Sequence, residues 1–330
     1  MKTLIVLIYV FIFSVINSLS QVTQYEKSDR AKWITSVDSG IVKMMKNFSI
    51  PGLSIAIIKD GRINYTKSFG VRNINTIEPV TDNTIFNAAS LTKPLFAYLV
   101  LKLHDEGKID IDIPLYKIIP KEIIEKVFIG HSMEKEGFKV DEFKKITPRL
   151  VLCHSTGLPM YQATDPLEIS FTPGTQFRYS PFSYELLEIA VLGLMGVTLD
   201  TFTGTELNDL MKKYVFEPLG MNESSMLWED KFEKLAVVGH NLFNTTLGEF
   251  LKNKKANSTA SLYTTTKDYA RFMIALINGE GLKKATSEDM LKPQVDLTEK
   301  NNFWGLGVGL EKSDKDLFFY QWGDYGHTNL

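Results

Sequence analysis

Ser90-Leu91-Thr92-Lys93 places a hydroxyl and an amine three residues apart at the head of a long apolar run. On a helix that spacing puts both groups on one face, so the amine can reach the hydroxyl. A serine hydroxyl is a weak nucleophile until a neighbouring base takes its proton. The first turn of a helix adds the positive end of the dipole and backbone N–H groups, both suited to the oxyanion formed when an acyl carbon is attacked. The same four-residue pattern recurs at Ser132-Met133-Glu134-Lys135, but there in a polar, charge-mixed stretch with no apolar face. Context separates the two, because Asn87-Ala88-Ala89 precedes Ser90 and an apolar helix follows it.

Other residues with chemical potential read as structural. His104, His131 and His240 have no acidic or histidine partner at metal-ligand spacing. His154 sits in a His-Ser-Thr-Gly turn and is expected to be a hydrogen-bonded structural residue. Cys153 is the sole cysteine, so an internal disulfide cannot form; in its apolar stretch it reads as a core residue. Gly305, Gly307 and Gly309 lack the strand–turn–helix context of a dinucleotide site and are expected to mark close backbone approach. No cofactor or metal is expected.

The elements that must hold Ser90 and Lys93 follow from periodicity. Trp33–Met45 spaces its apolar residues as an amphipathic helix, and Leu53, Ile55 and Ile57 alternate as a strand. Asp60-Gly61 is a hairpin signal, with Ile63, Tyr65 and Phe69 on the return strand. Ser90 to His104 is apolar on most faces, the mark of a buried helix, and ends near Gly107. Helical patterns follow at Tyr184–Leu194, Glu206–Tyr214 and Lys267–Ile277, the last with Thr266 as expected cap and Gly279 beyond its end. β character returns at Trp304–Leu310 and Leu317–Trp322. Strands at both ends predict a sheet built from the two chain ends with a helical segment inserted between.

The 330 residues, 44% hydrophobic and 23% charged, with a net charge of -2, are ordinary globular composition. No basic stripe exists to bind nucleic acid. Lys2 followed by the apolar run Thr3–Ile16, with Ser18 and Ser20 ahead of Gln21, reads as a signal peptide over residues 1–20. Export to a periplasm or secretion is therefore expected, and no later segment is apolar and long enough to span a membrane.

Ala89-Ser90-Leu91-Thr92-Lys93-Pro94 resembles the first motif of the serine β-lactamase-related hydrolases, which include class C β-lactamases, D-alanyl-D-alanine peptidases and penicillin-binding-protein-like esterases. The resemblance recurs in order along almost the whole mature chain. It runs through Gly107–Pro114, Leu152-Cys153-His154-Ser155-Thr156-Gly157-Leu158-Pro159, Phe171-Thr172-Pro173-Gly174, Tyr179-Ser180 and Glu217-Pro218-Leu219-Gly220-Met221. It implies an α/β (α+β) fold of the β-lactamase/transpeptidase type, with an antiparallel sheet flanked by helices and a mostly helical insertion. One domain over residues 21–330 is expected, its sheet part at about 21–85 and 260–330 and its helical part at about 86–259. The resemblance also implies a small-molecule ester, amide or peptide substrate, attacked through an acyl-enzyme on Ser90.

Tyr179 falls at the family's second motif, Tyr-x-Asn. By resemblance its phenol, lowered in pKa by Lys93, deprotonates Ser90 and later protonates the leaving group. Pro181 stands in the Asn position and has no side-chain amide. The third motif, a cation followed after one residue by Gly, has two candidates. Gln321-Trp322-Gly323 supplies the Gly and ends an apolar run, whereas His327-Thr328-Asn329 supplies the His without the Gly. The first is favoured, with the N–H groups of Ser90 and Asp324 as the expected oxyanion hole. Gln321 puts a neutral amide where the family's cation helps receive a substrate carboxylate, so esters lacking that carboxylate are the expected substrates. The family normally continues beyond the position of Leu330, so a fragment or a shortened domain is expected. The competing expectation is a non-catalytic β-lactamase-like protein that binds a peptide or cell-wall ligand, which Pro181 and Gln321 favour.

Overall fold

The computed structural model describes residues 27–119, 136–161, 167–240, 245–246 and 252–324. The expected signal peptide over residues 1–20, His131, the Ser132–Lys135 match and His327–Asn329 lie outside the described residues. In chain order the elements begin with helix α1 (Lys27–Asn47), strands β1 (Gly52–Lys59), β2 (Arg62–Asn73), β3 (Glu78–Pro79) and β4 (Phe86–Asn87) and helix α2 (Thr92–Asp105). Helices α3 (Val140–Phe143), α4 (Pro148–Leu152), α5 (Pro181–Leu194) and α6 (Glu206–Met211) follow. The chain then runs through β5 (Tyr263–Thr264), α7 (Thr266–Asn278), α8 (Lys284–Met290), β6 (Val295–Asp296), β7 (Asn302–Trp304), β8 (Gly309–Lys312) and β9 (Leu317–Tyr320).

The opening hairpin forms where Asp60-Gly61 predicts it. Both residues take positive φ (52° and 67°), the twist that closes a two-residue turn without splaying the strands. The β1 faces differ from the expected alternation. Leu53, Ala56 and Ile58 are buried, while Ile55 and Ile57 are only partly covered. The phase changes between Leu53 and Ala56, ahead of the register shift at Ile57/Ile58, where the extra residue is Asn64 on β2.

Strands from the two chain ends do not share one ladder among the described residues. They form two antiparallel sheets, β1-β2-β3 and β6-β7-β8-β9, with β4 and β5 as a separate short pair. Each large sheet is closed by its own hairpins, so local pairing decides its membership. α7 packs against β1 and β2, and its sharp apolar stripe supplies the covering face. Its N-cap is Thr265, one residue before the expected Thr266: the Thr265 hydroxyl accepts the Asp268 N–H at 3.1 Å. Gly279, at φ 66°, ends it in the left-handed conformation.

α2 is the axis of the core. Thr92 through Leu101 are all buried, as is Leu103, so the helix is enclosed on every side. Enclosure explains why its sequence shows little amphipathic contrast. Of the three glycines of the 305–309 stretch, Gly305 and Gly307 let backbone approach this core, and Gly309 makes room for the Tyr320 ring. A Cβ on Gly307 would lie 2.3 Å from the Ala97 methyl, and one on Gly305 2.5 Å from Met290 O. Cys153 is buried, which pushes its thiol up to about 12, as a core residue should be.

Candidate active site

Ser90 sits one step earlier in the helix than its pattern predicts. It lies in a 3₁₀ turn, Ala89–Leu91, that runs straight into α2. Ala89 holds a left-handed φ of 44°, a strained state for a residue with a Cβ. It is braced by its N–H donating to Asn87 Oδ1 at 3.0 Å. Beside it, Thr92 Oγ1 donates to Ala89 O at 2.6 Å and accepts the Leu262 N–H at 3.1 Å. The turn that presents Ser90 is therefore tied from both sides.

Lys93 and Tyr179 converge on the same oxygen. Lys93 Nζ lies 3.1 Å from Ser90 Oγ, and the Tyr179 hydroxyl donates to that Oγ at 2.8 Å. Lys93 Nζ also donates to Thr259 O at 2.8 Å and lies over the Tyr179 ring, 5.0 Å from its centroid. Burial drives the Lys93 amine down to about 7, with the Glu185 carboxylate opposing the shift. Deprotonation removes the cost of a desolvated charge, so the neutral amine is the form the site favours.

The expected lowering of the Tyr179 phenol is corrected here. Burial pushes it up to about 12, and contacts with Ser90 and Gln321 recover only part of that rise. A lysine brought down to about 7 is only about half protonated at neutral pH and supplies no fixed cation to hold a phenolate. Tyr179 accordingly stays protonated and donates to Ser90.

Tyr179 is placed by His154. The Arg178 N–H donates to His154 O at 2.8 Å and the Ser180 N–H donates to His154 Nδ1 at 3.1 Å, so the residues on either side of Tyr179 are pinned to one histidine. An accepting Nδ1 leaves the ring proton on Nε2. Full burial holds His154 well below its ordinary pKa, in the neutral form. Its ring packs 4.4 Å from that of Tyr179 and 4.9 Å from that of Tyr184. The structural reading of His154 therefore stands. His104 Nδ1 lies 3.0 Å from Ile109 O, and His240 Nε2 accepts the Ile74 N–H at 3.4 Å; both serve local structure.

Pro181 has a backbone use. It is the first residue of α5, where its missing N–H costs no helical bond, and Ser180 Oγ caps the helix by accepting the Ser183 N–H at 3.1 Å. Gln321, Trp322 and Gly323 run along the nucleophile turn beyond β9. Gln321 is 8% exposed, and its Nε2 donates to Ser90 O at 3.2 Å. Trp322 faces outward at 54% exposure, stacked on Tyr320 at 5.8 Å and 12°. A Cβ on Gly323 would lie 2.5 Å from Ala88 O and 3.3 Å from Leu91 N. Only glycine allows this approach, which brings the chain at Asp324 alongside the Ser90 turn.

Sequence reasoning missed the groups that hold the amine from behind. Thr259 contributes a carbonyl, which no residue type announces. Glu185 and Glu188 lie on α5, where a polar residue within an apolar run was the available signal. Among the described residues, no cluster of three His, Cys, Asp or Glu side chains could hold a metal ion, and no helix is long and apolar enough to cross a membrane.

Residues 37–329 match the family described as Beta-lactamase. ML-236A carboxylate methylbutanoyltransferase of Penicillium citrinum is 24% identical over 82% of this chain and 72% of its own length. Unguisins hydrolase of Aspergillus campestris is 23% identical over 77% of this chain but 47% of its own, so the chain spans about half the length of that relative. The D-alanine carboxypeptidase AmpC of Burkholderia cenocepacia superposes with a TM-score of 0.70 at 18% identity, covering 91% of this chain and 89% of that one. At such identity the superposition establishes the fold, of the β-lactamase/transpeptidase type. The named relatives are an acyltransferase and a hydrolase, which supports serine-hydrolase-like chemistry in general. With nearly its whole length from residue 37 matched, the chain belongs to the β-lactamase family.

Proposed function

We propose that this protein is a serine hydrolase that transfers acyl groups through an ester on Ser90, with Lys93 as base and Tyr179 as proton donor. The observation that carries the reading is the convergence of an amine at 3.1 Å and a phenol at 2.8 Å on one serine oxygen. The neutral Lys93 amine takes the Ser90 proton as Oγ bonds to the substrate carbonyl carbon. The resulting oxyanion is received by the N–H groups of Ser90 and Asp324. Collapse breaks the bond to the leaving alkoxide, which is protonated through the Tyr179 hydroxyl as that group is resupplied from Lys93. Water, activated by the same amine, then attacks the acyl-enzyme and releases the acid; an alcohol acceptor in its place completes an acyl transfer.

Gln321 supports a substrate class. Its amide carries no charge, and its Nε2 is committed to Ser90 O, so no cation stands there to receive a substrate carboxylate. The exposed Trp322 and Tyr161, 54% and 69% accessible, offer apolar contact instead. Esters without a carboxylate near the scissile bond fit this arrangement better than penicillins or D-Ala-D-Ala peptides. The charged-then-apolar N-terminus supports export.

Labelling with a fluorophosphonate followed by peptide mapping tests the reading. Covalent mass on Ser90 is the expected result. An unlabelled folded protein would support the ligand-binding alternative, which Pro181 in place of an amide side chain favours. Faster turnover of nitrocefin than of a short acyl ester would refute the substrate class.

A further inference from the structure

Glu188 is a carboxyl in an unusual place. It lies on α5, three residues after Glu185 and so on the same face, and is only 8% exposed. A carboxyl so enclosed persists only with a partner. Its Oε2 accepts the Ser258 N–H at 2.7 Å. The next residue, Thr259, offers the carbonyl that receives Lys93 Nζ at 2.8 Å.

Ser258 and Thr259 belong to a turn that is tied at its other points. Asn257 Oδ1 accepts the N–H groups of Thr259 at 3.1 Å and Ala260 at 2.8 Å. Leu262 O accepts the Ala88 N–H at 2.7 Å, and the Leu262 N–H reaches Thr92 on the nucleophile helix. One end of the turn is therefore fastened to the Ser90 segment, and the other is fastened to α5 through Glu188.

We propose that Glu188 is a positioning residue for acyl transfer: by accepting the Ser258 N–H it anchors to α5 the turn whose Thr259 carbonyl, two peptide units further along, holds the Lys93 amine against Ser90. This rests on the reading of Ser90 as nucleophile. Glu188 does not touch substrate; it acts through a backbone carbonyl. Acceptance by one carboxyl oxygen survives protonation of the other, so the bond does not depend on the charge. Burial raises Glu188 to about 7, and either protonation state can hold the turn.

The test compares the rate of fluorophosphonate labelling at Ser90, and kcat and KM for a short ester, across three chains. Glu188→Gln keeps an oxygen acceptor and should stay within about twofold of wild type. Glu188→Met has a similar volume and no comparable acceptor. It should lose about tenfold or more in labelling rate and kcat, with KM within about twofold, as misplacement of a reacting group predicts. A merely structural carboxyl would move the melting temperature without this split or the rescue by Gln. A folded Met variant labelled at the wild-type rate overturns the proposal, as does a Gln variant as slow as Met. If the Met variant does not fold, Glu188→Asp decides, since its carboxyl is withdrawn by about one bond length, ~1.5 Å. Slowed labelling upholds the proposal and wild-type labelling overturns it. A wild-type chain that takes no label removes the nucleophile reading, and this proposal with it.

Discussion

Lowering the pH should switch off acylation by protonating Lys93. Its amine, held down to about 7 by burial, is about one-tenth neutral one pH unit lower and about one-hundredth two units lower. The labelling rate at Ser90 should therefore fall roughly tenfold per unit below pH 7 and level off above about 8. A lysine at its ordinary value near 10.4 would instead give a rate still climbing about tenfold per unit through pH 9. The groups facing Lys93 sort themselves by window. Tyr179, at about 12, and Tyr184, well above its ordinary value, stay protonated, while His154, well below its own, stays neutral. Glu185 raises Lys93 through its charge, so Glu185→Gln should move the acid limb to lower pH. Glu188 titrates in the same range as Lys93, and Glu188→Gln should leave the limb in place. The assay is the pseudo-first-order labelling rate from pH 5 to 9 in constant ionic strength. A wild-type rate still rising between pH 8 and 9, or an upward displacement in Glu185→Gln, would refute the assignment of Lys93 as base. Stability carries the same sign: between about 7 and 10.5 the unfolded chain holds the lysine proton and the folded one does not. The Lys93 contribution to stability therefore rises with pH across that window.

Ser90→Ala should abolish labelling, read by intact mass. Lys93→Ala and Tyr179→Phe should each lower kcat/KM for an ester by about 10²–10⁴-fold, and near-normal turnover in either would show a misassigned proton carrier. Gly323→Ala must move a Cβ away from Ala88 O, 2.5 Å distant. We expect a loss of about 1–3 kcal/mol in chemical unfolding and slower acylation; an unchanged stability and rate would contradict the close approach at the Ser90 turn. Trp322→Ala should raise KM for an apolar ester more than it lowers kcat, because an exposed stacking surface holds substrate and transition state alike. Equal loss in kcat and kcat/KM, measured by steady-state kinetics, would contradict that role.

Much of the site was legible because its chemistry is local. Ser90 and Lys93 are linked by helical spacing alone, and an apolar run on every face could only be a buried helix. Hairpin and cap signals at Asp60-Gly61 and Gly279 act within a few residues, and they hold in the structure. The family motifs carried Tyr179 and Gly323 to their places, although they lie 89 residues or more from Ser90 in sequence. The order of the proton affinities was not legible. Whether Lys93 or Tyr179 gives up its proton first depends on how much water each has lost. That is a property of packing from α5, the 257–262 turn and His154 together.

The amino-acid sequence by itself determined the Ser90–Lys93 pair, the helix that presents it and the absence of a cation at position 321, since these follow from residue type and short spacing. Only the tertiary structure decided which of Lys93 and Tyr179 loses its proton more readily, which carbonyl holds the Lys93 amine and where Glu188 is buried. Those outcomes depend on desolvation and on backbone atoms brought together across as many as 166 residues, and neither leaves a mark in the identity of any single side chain.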